Sequence, residues 1–440
     1  MKPIYILLLL VGALLGGLLL IPRAPETKAP VAEEPTPIEK PSVENLLAES
    51  DVLFGTGHFT KADAGYAEVL LADPANVKAL MQRGYIALLE NNRLADAEAL
   101  LMEVEALAPR IVTTTSFLAE IAYRQDQFDR AADLFGRLGR TAMQAKLKSF
   151  EGLIPYDAER LTEVRVPFVT TDPLPVVQVR INDSDPAYFF IDTGTAEVVV
   201  DSEFAKEIGL EARGWESVSE TVLLGHARVD TLVLGDLIVR NVPVDLLDIR
   251  QFSDTVFGGM QIDGTIGTVF LYHFLSTLDY PNAELILRPR TPEALEAFEA
   301  QARTQQAIVT PFWMAGDHFM LANGTINGSD PLLFLVDTGL AERAFMAKED
   351  VIREFGIDLD KSLARPGYTI FGIVEEIPFT VAELTLGEAV EHDLDGVTGT
   401  FQVEDVFGFH IDGLISHQFF LNYALTLDFT GMRLFLIPRG

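Results

Sequence analysis

The chain has 440 residues, 48% of them apolar and 22% charged, which is enough for two or three domains with buried cores. Its 65 acidic against 33 basic residues give a formal net charge of −32, a balance that repels phosphate backbones and sets nucleic acid aside as a partner. Cysteine is absent, which excludes disulfides, thiolate metal sites and thiol nucleophiles; the seven histidines show no HExxH or other ligand spacing, so no metal or cofactor is expected.

Lys2 precedes an uninterrupted apolar run from Ile4 to Ile21, 18 residues without a charge. That length suits a span of the hydrocarbon core and exceeds the usual apolar core of a cleaved signal, and no clean A-x-A site follows it. Residues 1–21 therefore read as a signal-anchor or a signal peptide, with a buried core helix as the remaining alternative. Either export reading makes the protein extracytoplasmic, held in the membrane through residues 4–21 or secreted or periplasmic after cleavage. Residues 22–42 carry Pro22, Pro25, Pro30, Pro35, Pro37 and Pro41 among Glu, Lys and Thr, the composition of an extended spacer.

From Val43 a helical period takes over, and three series recur about 34 residues apart. Gly57, Phe59, Ala62, Tyr66, Leu70 and Pro74 form the first; Gly84, Ala97, Leu101 and Pro109 the second; Leu118, Ala119, Ala122, Phe128, Ala131 and Phe135 the third. Small residues let paired helices approach, while the aromatic and Leu positions fill the space between them. Residues 43–150 resemble tetratricopeptide repeats, with an unrelated array of helical hairpins as the alternative. Such an array serves either as a docking surface for a protein partner or as a stalk, and three repeats are near the minimum for a stable stack, so docking onto the next domain is also expected.

After residue 160 the texture changes to short β-rich runs broken by Gly, Pro, Asn and Asp, among them Val176–Ile181, Tyr188–Ile191, Val198–Val200, Thr231–Leu234 and Leu285–Leu287. Two segments of this region superimpose. Phe189-Phe190-Ile191-Asp192-Thr193-Gly194-Thr195 matches Phe334-Leu335-Val336-Asp337-Thr338-Gly339-Leu340, each after a strand and a polar turn ending in Asp-Pro. Downstream, Ile262-Asp263-Gly264-Thr265-Ile266-Gly267 matches Ile411-Asp412-Gly413-Leu414-Ile415-Ser416. One tripeptide would mean little; two ordered motif pairs at nearly the same offset indicate a duplicated β domain, residues 160–290 and 308–440, joined by a linker of about 20 residues. An apolar strand that delivers Asp to its end, with Thr to hydrogen-bond across and Gly to permit close approach, suits two facing carboxylates. Such a pair shares one proton and activates water for peptide hydrolysis without metal or covalent intermediate.

These motifs resemble the retropepsin-like aspartic proteases of the pepsin/retropepsin class, here with two lobes in one chain. The fold class that follows is multidomain, an N-terminal α-helical repeat plus a mainly-β duplicated aspartic-protease fold. The resemblance implies Asp192 and Asp337 as the catalytic pair and Thr193, Gly194, Thr195, Thr338 and Gly339 as the supporting loops. It also implies a peptide or unfolded protein as substrate, and flaps around Leu223-Leu224-Gly225-His226 and Ile370-Phe371-Gly372-Ile373. The second copy departs from the family pattern at Leu340, which cannot donate a side-chain hydrogen bond, and at Ser416, which replaces the Gly267 of the first copy. A non-catalytic peptide- or protein-binding pseudoprotease is therefore the alternative. Asp263 and Asp412, each before Gly, read as turn formers. Glu197 and Glu342, five residues past each motif Asp, read as solvated, and the histidines, His226 and His318 among them, as surface or packing residues.

Overall fold

A computed structural model describes residues 5–7, 42–158, 161–219, 222–369, 372–400 and 404–439. The apolar run 4–21 and the proline-rich segment 22–42 lie outside the described residues, apart from Ser42 and the short strand Tyr5–Leu7, which pairs in parallel with Arg365–Thr369. Among the described residues no helix is long and apolar enough to cross a membrane.

Seven helices follow: α1 (Val43–Gly55), α2 (Phe59–Ala72), α3 (Val77–Leu88), α4 (Leu94–Leu107), α5 (Val112–Arg124), α6 (Phe128–Arg137) and α7 (Thr141–Lys148). Side-chain oxygens of Ser42 and Asn76 accept amide hydrogens in the first turns of α1 and α3, satisfying groups that the helix itself leaves unpaired. Each helix packs on the next, so the array is a linear stack. Ala62, Ala97 and Ala131 are fully buried within it. Helix α5 is unusual, since every residue from Ser116 to Arg124 is buried, more than one apolar stripe requires.

That burial comes from the β lobes, which cover the array along its length. Phe54 and Phe59 pack edge-on against Phe409 of the second lobe, and Phe59 also meets Trp313. The Met314 amide donates to the Leu89 carbonyl, and Arg124 donates to the carbonyls of Leu88, Met314 and Gly316. Farther along, Ser149 O accepts from Arg228 of the first lobe. The array thus begins on the second lobe and ends on the first.

The lobes repeat one plan, and the mainly-β duplicated fold expected from the motifs is present. In the first, Val176–Ile181 pairs with Ala187–Ile191, which runs parallel to Gly264–Ile266. In the second, Phe319–Ile326 pairs with Leu332–Val336, parallel to Gly413–Ile415. A shared antiparallel seam joins them: Val164–Pro167, Glu284–Pro289, Phe274–Asp279, Tyr423–Asp428, Arg433–Pro438 and Ile308–Ala315, in that order. At its centre Thr277 is registered with Thr426, and their hydroxyls hydrogen-bond at 2.7 Å, marking an approximate twofold axis. The linker is more ordered than its composition suggests. Pro292–Thr304 forms a helix, capped by Thr291 and packed through Phe298 on Phe435 of the seam.

Candidate active site

Each motif aspartate follows a largely buried strand that lies beside a second, parallel strand. The Asp192 amide donates to Ile266 O at 3.1 Å and the Asp337 amide to Ile415 O at 3.0 Å, so both loops leave their sheets in the same way. The Thr hydroxyls then cross the axis. Thr193 Oγ1 accepts the Thr338 amide at 3.0 Å and donates to Val336 O at 3.2 Å; Thr338 Oγ1 accepts the Thr193 amide at 3.1 Å and donates to Ile191 O at 3.3 Å. Asp192, Asp337, Thr193 and Thr338 are all fully buried. Glycine is required at the next position of each loop, because a side chain on Gly194 would collide with the Asp337 carboxylate and one on Gly339 with that of Asp192. The seven residues singled out in the sequence are therefore gathered at one place.

The pair is not symmetric. Asp192 Oδ1 accepts the Gly194 amide at 2.8 Å and Oδ2 the Thr195 hydroxyl at 2.9 Å. Asp337 Oδ1 accepts the Gly339 amide at 2.7 Å, but Oδ2 has no partner, because Leu340 stands where Thr195 supplies a hydroxyl. Burial, and then the neighbouring Asp337 charge, push Asp192 well above the ordinary carboxylate range; burial also pushes Asp337 up, to about 6. The two share a single low-dielectric site and titrate as a pair.

Ser416, fully buried, fits within the second loop. Its hydroxyl both accepts the Leu340 amide and donates to the Leu340 carbonyl, at 3.1 Å each, filling a space that the first lobe closes with backbone. Asp412 accepts the Leu333 amide at 2.8 Å, and Asp263 takes the Arg250 guanidinium, so each holds local structure.

Each lobe carries a hairpin, Gly214–Ser217 with Leu223–Leu234 in the first and Arg365–Thr369 with Gly372–Glu376 in the second. The flap segment Leu223–His226 lies in an arm of the first hairpin, not at its tip. Ile370 and Phe371 of the other flap segment lie outside the described residues. Val218, Val222 and Leu224 of the first hairpin join Tyr368 of the second and Ala341 in one apolar cluster, beside the Asp337 loop.

Glu197 corrects an expectation. It is buried, not solvated: Lys146 Nζ donates to its Oε2 at 2.8 Å and Tyr123 Oη donates to its Oε1. His226 and His318 are likewise buried. His318 Nδ1 faces Asp317 Oδ1 at 2.6 Å while its Nε2 is buried without a partner. Lys146, His226, Asp245 and His318 gave no motif-level signal. One was available for the pair His226–Asp245: two β-rich runs joined by Gly235-Asp236 form a hairpin whose register places those residues opposite each other. Among the described residues no group of three or more His, Asp or Glu side chains is gathered as a metal ion would need.

Residues 177–270, within the first lobe, match the family model described as aspartyl protease. The chain is also similar to two solved structures. The aspartic proteinase from Irpex lacteus is 13% identical, with 63% of this chain and 97% of that chain covered and a TM-score of 0.40. A retropepsin-like aspartic protease from Rickettsia conorii is 16% identical, with 30% and 93% covered and a TM-score of 0.22. No curated protein matches.

Proposed function

We propose that the chain is an aspartic endopeptidase in which Asp192 and Asp337 act as one intramolecular pair on a peptide or unfolded protein. The observation that carries this reading is the interlocked geometry of two fully buried carboxylates on loops that Thr193 and Thr338 lock to each other. In such a pair the ionised carboxylate takes a proton from a water placed between them, which attacks the scissile carbonyl, while the protonated partner donates to the carbonyl oxygen. The proton returns to the leaving amine and the pair is restored.

The array is read as tetratricopeptide-like, and the segment 4–21 as the export signal or membrane anchor of an extracytoplasmic protein, on the strength of repeat spacing and apolar length. A second reading, a peptide-binding pseudoprotease, is favoured by one observation, Leu340 in place of a hydroxyl donor. An exchange of single residues separates the two. Unfolded protein substrates are incubated with the purified chain from acidic to neutral pH, beside Asp192→Asn and Asp337→Asn. Cleavage that falls at least about a thousandfold in both variants supports the peptidase. Cleavage that persists in either removes the paired mechanism, and a folded chain that binds peptide without cutting it at any pH is the pseudoprotease.

A further inference from the structure

Glu197 is five residues past Asp192, in the loop that presents it, and this loop is clamped from two sides. Below, the Thr268 amide donates to Thr195 O at 2.9 Å and the Val269 amide to Ala196 O at 2.7 Å, and Gly267 leaves no room for a side chain against the Glu197 carbonyl. Above, Lys146 and Tyr123 of the helical array hold both oxygens of its carboxylate. The same Lys146 Nζ donates to Asp245 Oδ1 at 2.9 Å, and that oxygen lies 2.7 Å from His226 Nδ1. His226 Nε2 faces Glu216 Oε2 at 3.1 Å, and Glu216 accepts both Nε and Nη2 of Arg140, at 3.1 and 2.9 Å. This chain of bonds starts on α7, crosses the active-site loop and both arms of the first hairpin, and returns to the array at Arg140.

The side chains are too buried for the network to be an exposed ornament. Lys146, Glu197 and His226 are each at most 3% exposed. Burial raises Glu197 and is opposed by Lys146, with Asp245 adding to the rise. In the second lobe Glu342, five residues past Asp337, is instead set among Arg343, Asp172 and Arg365 and sits at a φ of +57°.

We propose that Lys146 is a positioning residue, which fixes through Glu197 and Asp245 both the loop presenting Asp192 and the hairpin beside it, so that the helical array completes the active site. The proposal rests on the reading of Asp192 and Asp337 as the catalytic pair.

The test compares the full chain with Lys146→Met, Lys146→Arg and the surface control Lys61→Met. Lys146→Met is expected to lower kcat by about tenfold or more and to shift the pH profile, because the Asp192 loop loses its fixed geometry. Lys146→Arg restores most of the rate and the profile, and Lys61→Met changes neither. Because Lys146→Met strands two buried carboxylates, the triple variant Lys146→Met/Glu197→Gln/Asp245→Asn is measured beside it, with the same loss of kcat expected at a retained cooperative melt. Hydrogen exchange supplies a readout independent of turnover: protection falls over 192–201 and 214–230 and is kept over 337–347. Wild-type kcat and pH profile in the triple variant overturn the proposal, as does loosening that is absent or equal in the two lobes. If the wild type itself cuts nothing, the catalytic reading fails, and the exchange comparison still decides whether Lys146 fixes the loop.

Discussion

At the scale of single residues, the burial of Asp337 and the Leu340 that follows its loop have measurable effects. Burial raises Asp337 to about 6 from an ordinary value of 3.8. Between those values the folded state binds more protons than the unfolded one, so this contribution is fully present below about pH 4 and lost as pH rises through about 6. Asp337→Asn removes the cost: at pH 7 it melts above the wild type, by about 1–3 kcal/mol in stability, and the difference closes as pH falls to 4. Thermal melts at a series of pH values check this, and a variant less stable than the wild type at pH 7 contradicts it. Leu340→Thr restores the hydroxyl that Thr195 supplies in the first lobe. It favours the ionised pair, so the alkaline limb of the cleavage profile moves toward acid by about one pH unit, with a stability loss of about 1–3 kcal/mol from replacing a buried Leu.

The elements that carry the pair were legible because their information is local. An apolar strand, Asp, Thr and Gly specify burial, termination, a crossing hydroxyl and close approach within seven residues, and the chain writes the pattern twice. Glu197 was misread for the opposite reason. Its partners Lys146 and Tyr123 lie 51 and 74 residues upstream, on helices whose pattern does not tell a face covered by a β lobe from one facing water. The seam was partly legible, as short apolar runs, but not the Thr277–Thr426 contact on its axis. The cross-lobe threonines make a direct prediction at this scale. Thr338→Val leaves the buried Thr193 amide without its acceptor and costs about 1–3 kcal/mol in urea denaturation. Thr193→Val does the same to the Thr338 amide. The double variant loses less than the sum, because both hydroxyls belong to one network.

For the whole molecule, the main apolar core runs without interruption from Phe54 and Phe59 of the array through both lobes to Leu434 and Leu436 of the seam. Arg124 adds buried polar bonds at the same boundary, to Glu120, Met314 O and Gly316 O. The array is therefore part of the folded unit rather than an appended module. The full chain is expected to melt in one transition, and deletion of residues 43–150 to yield lobes that aggregate or melt without cooperativity, as calorimetry would record. A deletion variant with a sharp, native-like transition would show the lobes to be self-sufficient.

The stack also has a mechanical meaning. Its first helices rest on the second lobe at Phe409 and Leu333, and its last on the first lobe at Gly214 and Arg228. The lobes meet elsewhere along a seam centred on Thr277 and Thr426 and at the crossing loops of Thr193 and Thr338. Two jaws joined along a hinge line and bridged by a rigid bar have their gape set by the length of the bar. The number of helices between Phe54 and Lys146 is thus a dimension of the bite, and flexing the stack or changing its length by one helical pair would alter the width of what the jaws can close upon.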